Sequence, residues 1–71
     1  MMLDTRGLKC PLPVLKARKR LKNMDKGEQL QLLADDPMAA IDVPHFCAES
    51  GYRLVGQHAE SNETTRYVIE K

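Results

Sequence analysis

The sequence is poor in aromatic residues, in cysteine and in long apolar runs. Its 71 residues include no tryptophan, one phenylalanine and two tyrosines, so base-stacking surfaces for nucleic acid are scarce. Two cysteines are too few for the disulfide framework of a small secreted domain, which favours free thiols. No segment approaches the roughly 18 apolar residues of a membrane span, and charged Asp4 and Arg6 stand where a signal peptide would be apolar. We therefore expect a cytoplasmic protein without a membrane partner.

The chain also lacks internal repeats, low-complexity tracts and linkers rich in glycine or serine. We therefore expect residues 1–71 to form a single domain. A domain of this size buries only about 60% of the surface of its unfolded chain, which leaves one modest core and little material for a deep active site. This favours a carrier or binding module over an enzyme, and we predict neither a cofactor nor a metal site.

Hydrophobic periodicity and turn residues divide the chain into four strands and two helices. The predicted strands cover residues 2–6, 28–34, 52–60 and 64–70, and the predicted helices cover residues 11–23 and 36–50. The apolar stripe of the first helix consists of Val14, Ala17, Leu21 and Met24. The order β-α-β-α-β-β with right-handed crossovers predicts an α+β fold, a two-layer α/β sandwich in which two helices cover one face of a four-stranded mixed sheet.

The second helix has clear start and stop signals and one internal conflict. Asp36 before Pro37 is typical of a helix start, because the carboxylate can cap the helix and proline fits its first position. The helix should run to about Ser50 and stop at Gly51. Pro44 lies inside this segment and predicts a kink or a division into two short helices.

Cys10 stands at the predicted start of the first helix, in the sequence Cys10-Pro11-Leu12-Pro13. Proline is tolerated in the first helical turn, since the amides it lacks have no helical partner there. The Leu12 amide, the helix dipole and the neighbouring Lys9 would all favour the thiolate. We therefore predict a reactive thiol with a lowered pKa, at or below about 7.5, on a turn stiffened by two prolines.

The motif offers no partner for disulfide exchange, because the position three residues after Cys10 is proline. A lone activated thiol suits a residue that accepts a group from one partner and passes it to another. Two alternatives remain open. Cys10 could be a structural residue at a helix start, or it could sense oxidants in a regulatory interaction module.

The segment Asp4-Thr5-Arg6-Gly7-Leu8-Lys9-Cys10-Pro11-Leu12-Pro13 resembles the signature of the TusA family of bacterial sulfur carriers, also called SirA-like proteins. Further segments occur in the family's order: Gly27-Glu28, Ala34-Asp35-Asp36-Pro37, Asp42-Val43-Pro44-His45-Phe46-Cys47 and Arg66-Tyr67-Val68-Ile69. The resemblance covers nearly the whole chain. It implies a two-layer sandwich like the C-terminal domain of a translation initiation factor.

The resemblance also implies a function. Cys10 matches the cysteine that bears a persulfide in the family, with Gly7, Pro11 and Pro13 supporting its turn. The protein would be a stoichiometric carrier that accepts sulfane sulfur from a cysteine desulfurase or a rhodanese-like donor and passes it to an acceptor protein. Destinations in the family include 2-thiouridine in transfer RNA, molybdenum cofactor assembly and sulfur oxidation. We expect the carrier to be a monomer.

Charge is unevenly distributed along the chain. Residues 1–26 hold eight basic and two acidic side chains, a net charge of +6, and residues 27–71 hold three basic and eight acidic ones, a net charge of −5. Such a basic run is most often a solvated helix face. Alternatively, it docks an acidic partner near the thiol through Lys9, Lys16, Lys19 and Arg20. Direct RNA binding by this face is a third interpretation, which the scarcity of aromatic residues makes weaker.

Other potentially reactive residues have simpler interpretations. Cys47 falls on the buried side of the second helix, where a free cysteine packs as a small apolar side chain. His45 and His58 lack the paired spacing of zinc ligands. Asp35 and Asp36 form an adjacent carboxylate pair, which we interpret as a helix cap and solvated surface.

Overall fold

The structure is a computed structural model that describes residues 1–71 and contains the predicted elements in the predicted order. The elements are strands β1 (Met2–Asp4), β2 (Gln29–Ala34), β3 (Arg53–Ala59) and β4 (Thr65–Glu70) and helices α1 (Leu12–Lys22) and α2 (Ala39–Ser50). Each coincides with its predicted segment to within a few residues, and the largest difference is the start of α2. Neither helix has the length and apolar character needed to cross a membrane.

The four strands form one mixed sheet in the order β1-β2-β4-β3. β1 pairs in parallel with β2, and β4 pairs antiparallel with both β2 and β3. β2 and β3 are therefore parallel to each other, and each helix is the crossover between two parallel strands. Crossovers of one hand place both helices on one face of the sheet, and both contribute to a single core cluster. The predicted α+β sandwich is confirmed.

The apolar stripe of α1 packs onto the sheet as predicted. Ala17 and Leu21 are fully buried, and Met24, just beyond the helix, is 5% exposed. Val14 is partly buried against the same cluster, and Pro13 is buried in the first turn. The alternation within β2 is equally clear, because its leucines at positions 30 and 32 are fully buried while its glutamines face the other side of the sheet.

Helix α2 departs from its prediction in two ways. It begins at Ala39, after a turn in which the Asp36 carboxylate accepts a hydrogen bond from the Met38 amide at 3.2 Å. It is also one continuous helix, so the predicted division at Pro44 is wrong. Proline removes only the hydrogen bond to the carbonyl of Ala40, a residue on the exposed side where water can replace the lost donor. The predicted stop at Gly51 is confirmed by its left-handed conformation, with φ of 77°.

The sheet topology determines where the chemistry can lie. Because β1 and β2 are parallel and each leads into a helix, both helices start at the same edge of the sheet. The connection before α1 (residues 5–11) and the connection before α2 (residues 35–38) therefore meet at this edge. Cys10 belongs to the first connection.

Candidate functional site

The connection that carries Cys10 is anchored at its base by Thr5. The Thr5 side chain is fully buried and its hydroxyl donates a hydrogen bond to the Leu33 carbonyl, as does its amide at 2.9 Å. Gly7 follows with φ of 85°, a left-handed conformation that glycine adopts at little cost. The Gly7 amide donates to both carboxylate oxygens of Asp35, at 2.9 and 3.1 Å. The chain is thus held to β2 before it reaches the cysteine.

A second carboxylate holds the backbone of the cysteine itself. The Cys10 amide donates a hydrogen bond to Oδ2 of Asp36 at 2.6 Å. This bond, together with the Met38 amide and the charge of Lys9, lowers the pKa of Asp36 and keeps it ionised. The adjacent pair Asp35 and Asp36 thus ties the two connections together. The sequence interpretation of this pair as a cap and solvated surface missed that role.

The side chain of Cys10 is exposed, and its sulfur has one specific partner. Sγ donates a hydrogen bond to Oδ2 of Asp42, on the first turn of α2, at 2.6 Å. This hydrogen bond raises the pKa of the Cys10 thiol, and partial desolvation and the negative charges of Asp42 and Asp36 act in the same direction. The prediction of a lowered pKa is therefore wrong, because the groups around Sγ favour the protonated thiol over the thiolate.

The local backbone explains why that prediction failed. The residue at the N-cap of α1 is Pro11, not Cys10, and no side chain caps this helix. The Leu12 amide, which the prediction assigned to the sulfur, donates to the Lys9 carbonyl at 2.8 Å. No helix amide stabilises the thiolate, while an acidic side chain from 32 residues along the chain stabilises the thiol.

A shallow depression of about 190 Å³ opens beside the sulfur between the two helices. We call it the thiol depression, and its lining consists of Cys10, Pro11, Val14, Arg18, Asp42, His45, Phe46 and Glu49. The Arg18 guanidinium lies over the Phe46 ring, 5.4 Å from its centroid, and Nε2 of His45 contacts the carboxylate of Glu49 one turn later in α2. The depression therefore has an apolar floor with charged groups of both signs around it.

The structure does not bring the four predicted docking residues together at the thiol. Lys16, Lys19 and Arg20 line a separate depression of about 250 Å³ on another side of α1, together with Leu3 and Asn23. Lys9 lies next to Cys10 but lines two further depressions, both with Asp35 and Asp36. The basic residue of α1 that shares the thiol depression is Arg18, which the sequence analysis did not select. Arg18 follows Val14 by four residues, and this spacing places both side chains on the same side of α1.

The second cysteine and the two histidines lie apart from one another or contact other residues. Cys47 is a free cysteine, 2% exposed, in the core cluster, and burial raises the pKa of its thiol. His45 pairs with Glu49, and His58 lies on β3 opposite Arg66. No three histidine, cysteine or acidic side chains are close enough together to hold a metal ion.

The fold and the sequence both have relatives. The structure is similar to the crystal structure of a SirA-like protein from Desulfitobacterium hafniense, with a TM-score of 0.86 and 23% sequence identity over 97% of this chain and 93% of that protein. At this identity the likeness shows a shared fold. The sequence matches the family described as sulfurtransferase TusA over residues 1–71. The chain therefore belongs to the TusA sulfurtransferase family, as its resemblance in sequence indicated.

Proposed function

We propose that the protein is a carrier that accepts sulfane sulfur on Cys10 as a persulfide and passes it to an acceptor protein. Membership of a sulfurtransferase family supports a role in sulfur transfer. The observation that carries the finer proposal is the contrast in exposure of the two free cysteines, because Cys10 is accessible to a partner and Cys47 is buried. A thiol that exchanges sulfur with other proteins must be reached by their cysteines.

The transfer requires no oxidant and no bound cofactor. Sγ of Cys10 attacks the outer sulfur of a donor persulfide, R–S–SH. A sulfur–sulfur bond forms at Cys10 as the donor's sulfur–sulfur bond breaks, and the electron pair of the broken bond stays on the donor sulfur. The proton of the Cys10 thiol ends on that sulfur, so the donor becomes R–SH and Cys10 becomes Cys10–S–SH. Delivery to an acceptor repeats the same exchange in the opposite direction.

The surroundings of Cys10 support a stoichiometric carrier with protein partners. The thiol depression is shallow and open, so it cannot enclose a small substrate, but it can receive a cysteine on a protruding loop of another protein. A cysteine desulfurase or a rhodanese-like enzyme fits the donor role, and the acceptor belongs to a route such as transfer RNA thiolation, molybdenum cofactor assembly or sulfur oxidation. The free thiols suit the reducing cytoplasm.

Partner docking is proposed to use the basic surface of α1. Arg18 borders the thiol depression, and Lys9 flanks the thiol on the other side. Lys16, Lys19 and Arg20 extend the positive surface around the helix. Opposite charge on a partner would accelerate encounter and orient it over Cys10.

The adduct found on the protein in cells tests this proposal. Protein purified without reductant should show by intact mass a fraction with one added sulfur, which a thiol reductant removes and which maps to the peptide containing Cys10. The Cys10→Ser variant, purified in parallel, should lack it. Added oxygen or glutathione on Cys10, with no added sulfur, would instead favour an oxidant-sensing module.

A further inference from the structure

The depression beside the Cys10 sulfur is lined by side chains of opposite charge, which favour different states of Cys10. Asp42 accepts its hydrogen bond, whereas Arg18 borders the thiol depression beside it. We propose that Asp42 and Arg18 set how tightly Cys10 retains its sulfur: Asp42 stabilises the empty thiol and repels the loaded persulfide, and Arg18 attracts the terminal sulfur. This inference rests on the proposed function of Cys10 as a sulfur carrier.

The empty carrier is the state that fits the Asp42 contact. An ionised carboxylate accepts hydrogen bonds and cannot donate them, so its contact with Sγ requires a proton on the sulfur. Hydrogen bonds to a charged acceptor are stronger than those between neutral groups. Because the contact exists only while Cys10 is an unmodified thiol, it lowers the free energy of the empty carrier relative to the loaded one.

The loaded carrier loses this contact and gains a repulsion. Once Sγ is bonded to a second sulfur it has no proton to donate to Asp42. The terminal sulfur of a persulfide is more acidic than a thiol and is therefore largely anionic at neutral pH. The acidic groups around it are Asp42, Asp36 and Glu49, and Glu49 is paired with His45. The carboxylate nearest to Sγ therefore disfavours the anionic persulfide, whereas it stabilises the neutral thiol.

The thiol depression, which Asp42 also lines, offers the terminal sulfur a positively charged neighbour and an apolar floor. Arg18 is the one side chain lining it that is always charged positively, and its guanidinium lies on the Phe46 ring. Long side chains of a helix lean toward its N-terminus, which for α1 is the end that carries Cys10. The apolar floor of Val14 and Phe46 suits a polarisable sulfur atom. Arg18 therefore partly offsets the repulsion, and the two residues have opposite effects on loading.

The consequence is a carrier that is easily discharged. In the exchange Cys10–SH + R–S–SH ⇌ Cys10–S–SH + R–SH, one sulfur–sulfur bond replaces another and no electrons are gained or lost overall. Asp42 moves this equilibrium to the left and Arg18 moves it to the right. A carrier that must give up its sulfur to a second protein benefits from a weakly held load.

The test is the exchange equilibrium with glutathione, measured without any partner protein. Wild-type and variant proteins are incubated anaerobically with a fixed ratio of glutathione persulfide to glutathione, and the ratio of loaded to empty protein is read by intact mass. We expect Asp42→Asn to raise this ratio about fivefold and Arg18→Gln to lower it about twofold. Asp25→Asn, the same change of charge in an exposed turn at the far end of α1, should leave it unchanged.

Failure of the inference differs from failure of the proposed function. If wild-type protein loads and Asp42→Asn loads to the same or a lower ratio, the proposed role of Asp42 is wrong. If Asp25→Asn raises the ratio as much as Asp42→Asn does, the effect of Asp42→Asn is one of net charge only. An unchanged or increased ratio in Arg18→Gln would overturn the role of Arg18. If neither wild-type protein nor Asp42→Asn takes up sulfur on Cys10 at any ratio of glutathione persulfide to glutathione, the proposed function itself fails. Circular dichroism of each variant confirms that the comparison is between folded proteins.

Discussion

The two cysteines of this protein lie in opposite environments. Cys10 is exposed in the connection before α1, and its sulfur donates to Asp42, whereas Cys47 is buried in the core against the sheet. The pKa is raised in both, by a carboxylate at Cys10 and by burial at Cys47. A raised pKa therefore does not distinguish a chemical thiol from a structural one here. The two thiols differ in their accessibility to other proteins and in the hydrogen bond to Asp42, which only Cys10 makes.

Replacing the Cys10 sulfur should have the largest effect on sulfur loading. We expect Cys10→Ser to abolish loading by a cysteine desulfurase and to leave the fold unchanged. The serine is exposed, its backbone amide can still donate to Asp36, and its hydroxyl can donate to Asp42 as the thiol does. Loading is measured by intact mass and folding by circular dichroism. A variant that no longer folds would mean that Cys10 is chiefly structural.

Removal of the Asp42 carboxylate should make Cys10 more reactive and leave Cys47 protected. The Asp42→Asn change replaces a charged acceptor with a neutral amide, which removes the negative charge that helps to raise the pKa of Cys10 and adds a group that can donate to the thiolate, so the pKa should fall. Below the wild-type pKa more thiolate is then present, and alkylation by uncharged iodoacetamide at pH 7 should be about threefold faster or more.

The rate of alkylation as a function of pH gives the pKa directly. The pKa of Cys10 in wild-type protein should lie above that of an ordinary cysteine, and the pKa of Cys10 in Asp42→Asn should lie below the wild-type value. Asp25→Asn serves as the matched control for the change in charge. A wild-type midpoint below the ordinary range would show that the helix start, and not Asp42, governs the thiol.

The basic surface should influence protein partners and not the thiol itself. Lys16 and Lys19 line a depression separate from that of Cys10, so Lys16→Glu with Lys19→Glu should slow sulfur acceptance from an enzyme about threefold at low salt. Alkylation of Cys10 by iodoacetamide should change little.

A matched reversal at Lys22, the last residue of α1, and Lys26, beyond the helix, controls for total charge. It should slow acceptance less than the reversal at Lys16 and Lys19 does. If acceptance and alkylation fell together, the lysines would act on the thiolate. If neither rate changed, this surface would be ordinary solvated helix.

Cys47→Ala should have the smallest effect on sulfur transfer and a measurable one on stability. Its side chain is 2% exposed in the core cluster, and deleting the sulfur leaves a small cavity. We expect the free energy of unfolding to fall by about 1 kcal/mol, measured by urea denaturation, with loading unchanged. Loss of loading in a variant that remains folded would instead make Cys47 part of the transfer.

The fold was predictable from local patterns because these patterns reflect the core directly. The helical spacing of Ala17 and Leu21 and the alternation of Leu30 with its neighbouring glutamines each define one buried face. The predicted division at Pro44 is wrong because a proline costs only one hydrogen bond when the freed carbonyl is exposed. Tertiary packing of α2 then outweighs that cost.

The site was less predictable because its contacts join distant parts of the chain. Cys10 could be selected from its motif, but the Asp42 carboxylate that accepts its hydrogen bond lies 32 residues away and has no local signal. Asp36 was assigned to the cap of α2, and its second hydrogen bond, to the Cys10 amide, exists only once two connections meet at one edge of the sheet. The separation of Lys16 and Arg18 onto different sides of α1 follows from helical geometry and could have been predicted.

The central claim, that sulfur travels on Cys10, is tested most directly by following a labelled sulfur atom. The protein is incubated with a cysteine desulfurase and cysteine that contains an isotopically heavy sulfur, and the modified peptide is mapped by mass spectrometry. We predict one heavy sulfur on Cys10 and none on Cys47, with release when an acceptor thiol is added. Heavy sulfur on Cys47 or elsewhere while Cys10 stays unmodified, or no transfer from either a desulfurase or a rhodanese-like donor, would contradict the account.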